Sequence, residues 1–330
     1  MAKSIYINKN SIMKRKNDTI YIIYKTESGK LERKIIPINQ VYDIYAHGTI
    51  SMSSGSILML GKLGIPVHFF DFYGFYRSSL IPKRTLLSGS VIIKQAEHFI
   101  NREKRLNIAK EIIKSASYNM LKNLYYYNRD SEHIKIVEDL RNSIDNVDSV
   151  TELMGIEGNI RNLYYKYLDE VLPDKFKIVK REKKPPSNFM NSLISFGNSL
   201  MYASTITEIY NTHLDQTISF LHEPSERRFS LSLDISELFK PIIIDRIIMG
   251  LINRNMIDES YFDMRLNGVL LNEKGRRLFI EEYENKMSST LKYKKLNKIV
   301  SLRHLIRLEC YKIEKHILGI DNYKGFKVWW

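Results

Sequence analysis

The sequence has a single cysteine, Cys310, among its 330 residues. That excludes an intramolecular disulfide and any zinc cage assembled from several thiolates, and it fits a reducing compartment. No stretch approaches the ~20 consecutive apolar residues of a membrane span. The opening residues MAKSIYINKNSIMKRKND lack the apolar run, about 7–15 residues long, of a secretory leader. The expectation is a cytoplasmic protein without a membrane partner. Acidic residues are also in short supply, 37 against 51 lysines and arginines, for a net charge of +14. A surplus of this size favours polyanionic partners, nucleic acid first and an anionic membrane surface second. A codon bias toward lysine is the plainer source of the same charge. What the chain does not lack is apolar content: 44% hydrophobic and 27% charged residues are ordinary for a globular protein and exclude disorder as the default.

The chain changes character near Pro82 and Lys83. Before them, residues 4–7, 19–24, 34–38 and 41–45 are short runs of β-branched and aromatic residues, with an Asn/Lys-rich turn region between the first two. A helix is expected over 53–63, stopped by Gly64, then a buried strand over 66–70, a turn at Gly74 and a strand over 75–81. His47 and His68 lie here without other ligands at useful spacing and read as core or surface histidines. Beyond the break the pattern is helical. Ile92, Ile93, Ala96, Phe99 and Ile100 suggest one apolar face, continued by Leu106, Ala109, Ile113 and Ala116. Further helices are expected over 152–169, 191–210 and 242–252, and long basic helices after a hairpin-like turn at Asn267-Gly268. Residues 174–184 read as a mobile basic loop, and the aromatic tail YKGFKVWW as packed. The fold class is therefore α+β: a small β-rich N-terminal domain, residues 1–83, followed by a larger all-α domain, residues 84–330.

The chemistry concentrates in 216–246, QTISFLHEPSERRFSLSLDISELFKPIIIDR. His222 lies between an apolar run and a polar turn, and Asp234 and Glu237 follow it by twelve and fifteen residues. Carboxylates with one imidazole are a donor set for a hard or borderline divalent cation. Asp234 and Glu237, three apart, project from one helix face; they also spell a capping box, which would spend both on helix N-terminal amides. His222 alone also reads as a satisfied core histidine. Glu157, between Gly155 and Gly158 in LMGIEGNIRNLYY, is a candidate for the missing ligand, the glycines allowing another backbone or a ligand to approach. By itself it also reads as an exposed helix residue. Arg161, one turn on, is placed to meet a phosphate. Arg227 and Arg228 are candidate backbone contacts or plain solvated charge, and Tyr164 and Tyr165 read as packing.

In combination these motifs resemble the CRISPR-associated spacer-acquisition integrases, the first-numbered Cas protein family. The residues that carry the resemblance are Glu157-Gly158, Pro185-Pro186 with Asn191, Leu221-His222-Glu223, Ser230-Leu231 with Asp234 and Glu237, Lys240-Pro241 and Asp245-Arg246. The N-terminal GTISMSSGSILMLGKLGIPVHFFD looks like that family's strand–helix–strand, so the likeness covers essentially the whole chain. The resemblance implies that Glu157, His222 and Glu237 bind Mg²⁺ or Mn²⁺, with Asp234 supporting or sharing that role. It implies a DNA endonuclease and strand-transferase that inserts spacer precursors into a CRISPR repeat array through a 3′-hydroxyl. It further implies a homodimer joined through the N-terminal domains, and two dimers bridged by a small ferredoxin-like second Cas protein. Charge and carboxylates alone leave two other readings: a structure-selective, metal-dependent nuclease without an integration role, and a non-catalytic DNA-binding scaffold.

Overall fold

Short β-branched runs separated by turn residues fill the first quarter of the chain, and there they form two four-stranded sheets. The structure, a computed structural model, describes residues 2–26, 28–83, 86–127, 132–182, 185–224, 229–265, 268–293 and 297–329. It divides into two units, Met1–Thr85 and Leu86–Trp330. The first contains β1 (Lys3–Ile7), β2 (Ser11–Lys16), β3 (Thr19–Lys25), β4 (Leu31–Ile36), β5 (Val41–Ala46), β6 (Ile50–Met52), α1 (Ser54–Leu63), β7 (Val67–Phe70) and β8 (Tyr76–Leu80). One sheet has the order β1-β5-β7-β8 and the other β4-β3-β2-β6. The inward residues Ile7, Met13, Ile20, Ile22, Ile44, Leu60 and Val67 build their common core.

The helix α1 forms where expected. The Ser53 side chain accepts the Ser56 amide at its start, and Gly64 adopts the left-handed conformation (φ 68°) at its end. Strand β2, SIMKRK, occupies part of the stretch read as a turn region. Its outward lysines and arginine hide the signal, whereas Ser11 and Met13 are buried and β3 and β6 pair with it on either side. His47 and His68 are both buried, His47 stacked on Phe70 at 4.3 Å and His68 hydrogen-bonded to Ser79.

The second unit is built from α2 (Gly89–Ile100), α3 (Arg102–Tyr127), α4 (Glu132–Ser143), α5 (Val150–Val171), α6 (Phe189–Tyr210), α7 (Ser230–Lys240), α8 (Arg246–Asn253), a hairpin of β9 (Phe262–Arg265) and β10 (Gly268–Leu271), α9 (Glu273–Ser288), a hairpin of β11 (Thr290–Tyr293) and β12 (Lys298–Ser301), and α10 (Leu302–Ile317). The second hairpin replaces part of the expected basic helices. Thr290, Tyr293, Ile299 and Val300 favour strand where the lysines between them carry no periodicity. The expected apolar face of α2 is rotated. Val91, Gln95 and His98 are buried, whereas Ile93 and Ile100 are exposed, because Gln95 reaches a loop of the site described below.

Helix α7 packs between α3 and α6, and α6 is buried almost all round, not on one side only. A π-helical turn, Pro241–Asp245, joins α7 to α8 without a break in direction. The tail packs as expected. Tyr323, Phe326 and Val328 are buried, the Phe326 ring stacks on Phe239 at 5.9 Å, and Glu309 accepts from the Tyr323 hydroxyl and the Phe326 amide. The basic segment expected to be a mobile loop is fastened in its described part. The Asp169 carboxylate accepts the Ile178 and Val179 amides, and Asn191 donates to the Lys180 carbonyl and accepts from the Glu182 amide. Among the described residues, no helix is long and apolar enough to cross a membrane.

Candidate active site

Three elements supply the site: the middle of α5, the irregular segment before α7, and α7 itself. The irregular segment has no ladder of its own, so side chains from elsewhere fix it. Gln95 on α2 donates to the carbonyls of Asp215 and Ile218 and accepts the Asp215 amide. Arg105 on α3 donates to the Phe220 carbonyl and pairs with Glu223. Ser230 closes the base of the segment on the Thr217 carbonyl.

Asp234 lies in the middle of α7, fully buried, and its carboxylate helps to fix the same segment. Its Oδ2 accepts the amides of Phe220 (2.6 Å) and Leu221 (2.9 Å), and its Oδ1 accepts the His222 amide (3.0 Å) and lies 2.8 Å from His222 Nδ1. The capping-box reading therefore fails, since Asp234 satisfies backbone amides of another segment. With Nδ1–H donated to the carboxylate, the tautomer of His222 is set, and Nε2 keeps its lone pair for a ligand.

Glu237 is one turn further along α7 and nearly buried. Lys240 donates to its Oε1 at 2.6 Å and the Arg161 guanidinium to its Oε2. Burial pushes the Glu237 carboxyl up, but Lys240 and Arg161 outweigh it and hold the group well below the usual carboxylate range, with His222 adding to the effect. Arg161 also donates Nε to Glu157 Oε1 at 2.6 Å. One guanidinium thus bridges a carboxylate of α5 and a carboxylate of α7, which are 80 residues apart in the chain. Burial pulls that guanidinium down, yet Glu237 and Glu157 raise it well above its ordinary value. The structure brings Glu157, Arg161, His222, Asp234 and Glu237 into one locality. Arg227 and Arg228 lie outside the described residues.

Among the described residues no three His, Cys, Asp or Glu side chains converge closely enough to cage a metal ion as they stand. Arg161 and Lys240 occupy the centre of the site and hold the carboxylates. The donor chemistry fits a divalent cation there, with two carboxylates gathered around a positive charge and one imidazole presenting Nε2 beside them. Asp234 has no oxygen to spare and stands behind His222. Gly155 and Gly158 do not serve close packing: a Cβ at either would meet nothing within 4 Å.

Behind the site lies a polar network that the residue pattern did not reveal. The Tyr164 hydroxyl donates to Asp245 Oδ2 at 3.0 Å, and Asn123 on α3 donates to Tyr164 (3.0 Å) and to the Pro241 carbonyl (2.8 Å). Burial raises the Asp245 carboxyl to about 6, against the lowering effect of the Tyr164 hydrogen bond. The clues in the sequence are the Asp245-Arg246 pair and spacing: Glu157, Arg161 and Tyr164 fall on one face of α5.

Residues 5–285 match the family described as CRISPR associated protein Cas1. The chain belongs to the Cas1 family. It is 49% identical to a CRISPR-associated protein Cas1 of Methanobrevibacter ruminantium over 331 residues, covering 99% of each chain. It is 42% identical to a CRISPR-associated endonuclease Cas1 of Fusobacterium nucleatum, over 100% of this chain and 98% of the other. The structure of a Cas1 protein from Thermotoga maritima superposes with a TM-score of 0.88 at 40% identity, covering 98% of this chain and all of that one. A casposase bound to an integration product shares the fold at 19% identity and a TM-score of 0.85, covering 98% of this chain and 92% of that one. The strand-rich N-terminal region followed by a mostly helical one is thus the Cas1 fold.

Proposed function

We propose that this Cas1 protein is a DNA endonuclease and integrase that inserts short DNA fragments into a CRISPR repeat array. In the reaction, the 3′-hydroxyl of the fragment attacks a phosphodiester of the repeat; a new P–O bond forms and the repeat strand leaves with its own 3′-hydroxyl. Water in place of that hydroxyl gives cleavage at the same site. The observation that carries the reading is the paired assembly of Glu157 and Glu237 around one positive charge, beside a His222 whose tautomer Asp234 fixes.

Glu157, Glu237 and His222 Nε2 would hold Mg²⁺ or Mn²⁺, with Asp234 as the positioning residue. The bound cation supplies Lewis acidity, lowering the pKa of the attacking hydroxyl and offsetting charge on phosphorus. The protein does the rest. Lys240 keeps Glu237 ionised inside a buried wall, and Arg161, once released from the carboxylates, has a guanidinium suited to a phosphate. The catalytic unit is residues 84–330, and residues 1–83 form the dimerisation domain. Insertion into two strands needs two sites at a fixed separation, which a symmetric homodimer supplies. The neighbouring fold of the Cas6-RT-Cas1–Cas2 complex, 18% identical with a TM-score of 0.83, supports a Cas2 partner, and a small ferredoxin-like protein bridging two dimers is the form we propose. An enzyme acting on a chromosomal array works in the cytoplasm.

The test is strand transfer by the protein with its Cas2 partner into a leader–repeat plasmid, in Mg²⁺, Mn²⁺ or EDTA, with Glu157→Ala and His222→Ala alongside. Metal-dependent joining that both substitutions abolish while DNA binding persists is the expected result. Cleavage without joining would favour a general nuclease. Undiminished function in EDTA or in Glu157→Ala would mean that the carboxylates are structural.

A further inference from the structure

Helix α7 cannot close its last turn in the regular way. The amide that would reach the Glu237 carbonyl in α-helical geometry belongs to Pro241, which has no N–H, and the π-helical turn begins there. Support for this turn comes from α3. Asn119, fully buried, donates Nδ2 to the Leu238 carbonyl at 2.9 Å. The same Nδ2 donates to the Phe326 carbonyl (3.1 Å), and Oδ1 accepts the Val328 amide (2.9 Å). One side-chain amide thus joins the end of α7 to the C-terminal tail. The Phe326 ring adds a second tie, stacked on Phe239 with the planes 9° apart. Leu238 and Phe239 directly follow Glu237.

The tail is fastened by polar groups along its length. Residues 322–329 adopt neither helix nor strand, so their backbone groups need partners from elsewhere. His316 Nδ1 accepts the Tyr323 amide at 3.2 Å. Glu309, fully buried on α10, accepts the Tyr323 hydroxyl (2.7 Å) and the Phe326 amide (3.1 Å), and Lys312 pairs with its other oxygen at 2.5 Å. At Gly325 a Cβ would stand 2.8 Å from the Glu111 carbonyl oxygen of α3, so only glycine lets the chain pass this close. The tail is therefore anchored on α10, lies against α3, and meets α7 beside Glu237.

We propose that this tail is a strap that sets the position of Glu237, with Asn119 and Phe326 as positioning residues for the reaction. The inference rests on the reading of Glu237 as a metal ligand, and deepens it by naming what places that ligand. Lys240 and Arg161 hold the Glu237 carboxylate, whereas Asn119 and Phe326 hold the backbone that carries it. A ligand must stand within about 0.5 Å of its working geometry, which a helix turn free to shift does not provide. A tail that only filled space would call for an apolar side chain at position 119. A buried amide that serves two chain segments at once fixes one against the other.

Mn²⁺ calorimetry and urea unfolding of the full-length protein, with joining kinetics in the presence of its Cas2 partner, test this on Phe326→Leu, Asn119→Ala and the double variant. Phe326→Leu keeps the apolar bulk and removes the stacked ring, so it carries the test even where Asn119→Ala fails to fold. Each single change is expected to lower Mn²⁺ affinity about 10-fold. The kcat for joining should fall with it and KM for DNA should hold, since no DNA-attracting charge is touched. The double variant is expected to lose little more Mn²⁺ affinity than either single one, because both act through one strap. Variants that unfold at lower urea yet bind Mn²⁺ and join as the wild type does would reduce the tail to packing. Losses that multiply in the double variant would separate Asn119 from the tail and remove the strap. A wild-type protein that binds no Mn²⁺ would overturn the reading of Glu237 as a ligand and the strap with it, an outcome distinct from strap variants that bind Mn²⁺ normally.

Discussion

Asp234 accepts three backbone amides and faces His222 Nδ1 while exposing no surface, so a single side chain ties the fold of the site to its chemistry. Its two duties are separable. Asp234→Ala leaves the amides of residues 220–222 buried and unpaired, and the expected loss is about 3 kcal/mol or more in urea unfolding. Asp234→Asn keeps the size but removes the charge that fixes the imidazole. Mn²⁺ affinity measured by calorimetry is expected to fall about 10- to 100-fold, with DNA binding kept. Unchanged Mn²⁺ affinity in that variant would remove Asp234 from its place behind a metal ligand. Asp245 makes a different case. Its folded carboxyl is raised to about 6, above the ordinary 3.8. A raised acid favours the folded state when protonated, so its contribution is complete below pH 4 and is lost as pH rises through 6. Asp245→Asn keeps an acceptor for the Tyr164 hydroxyl. It is expected to stabilise the protein at pH 7 by up to about 3 kcal/mol and to flatten the pH 4–6 part of the stability profile. A variant no more stable than wild type at pH 7 would show that Asp245 is ionised at no cost.

At the scale of elements, α6 and the π-helical turn Pro241–Asp245 explain why α7 presents its carboxylates where it does. Gly197 on α6 lets the turn approach so closely that a Cβ would stand 2.6 Å from Ile244 Cγ2 and 2.8 Å from Phe279 Cζ. Gly197→Ala is therefore expected to cost about 1–3 kcal/mol and to lower joining activity by moving α7, which thermal unfolding and the strand-transfer assay would record. A fully active, equally stable variant would mean the contact is soft. This glycine drew no attention in the sequence, because nothing local marks it. What is legible is local or repeated in several motifs: α1 from its apolar spacing and Gly64, α5 and α6 from their apolar periodicity, and the gathering of Glu157, His222 and Glu237 from their joint pattern. What was not legible depended on partners far away in the chain. The strand β2 is polar outward and gains its identity from pairing on both edges, and α2 turns Gln95 inward because a loop 120 residues away needs its amide. Asp234 and Glu237 looked equivalent at three-residue spacing. Only the backbone of 220–222 folding back onto α7 separates a positioning carboxylate from a candidate ligand.

Across the whole molecule, charge and chemistry serve different steps. A net charge of +14 attracts any polyanion, but the site itself is close to balanced, with Arg161 and Lys240 set against Glu157 and Glu237. Binding and reaction should therefore respond to different variables. Binding through lysines and arginines releases counterions, so the logarithm of affinity should fall linearly with the logarithm of salt. With six to ten phosphates contacted, affinity would fall about 10³–10⁵-fold between roughly 50 and 200 mM salt, in EDTA as in Mg²⁺. Joining should instead vanish in EDTA at any salt. Anisotropy titrations beside the joining assay, over the same salt series, read both quantities on one preparation. Affinity that collapses in EDTA would place the metal in DNA binding, and joining that merely tracks occupancy would leave the carboxylates no role beyond holding α5 to α7. The charge surplus attracts DNA without selecting it, and on the proposed reading the reacting end is left to Glu157, His222 and Glu237 of the site.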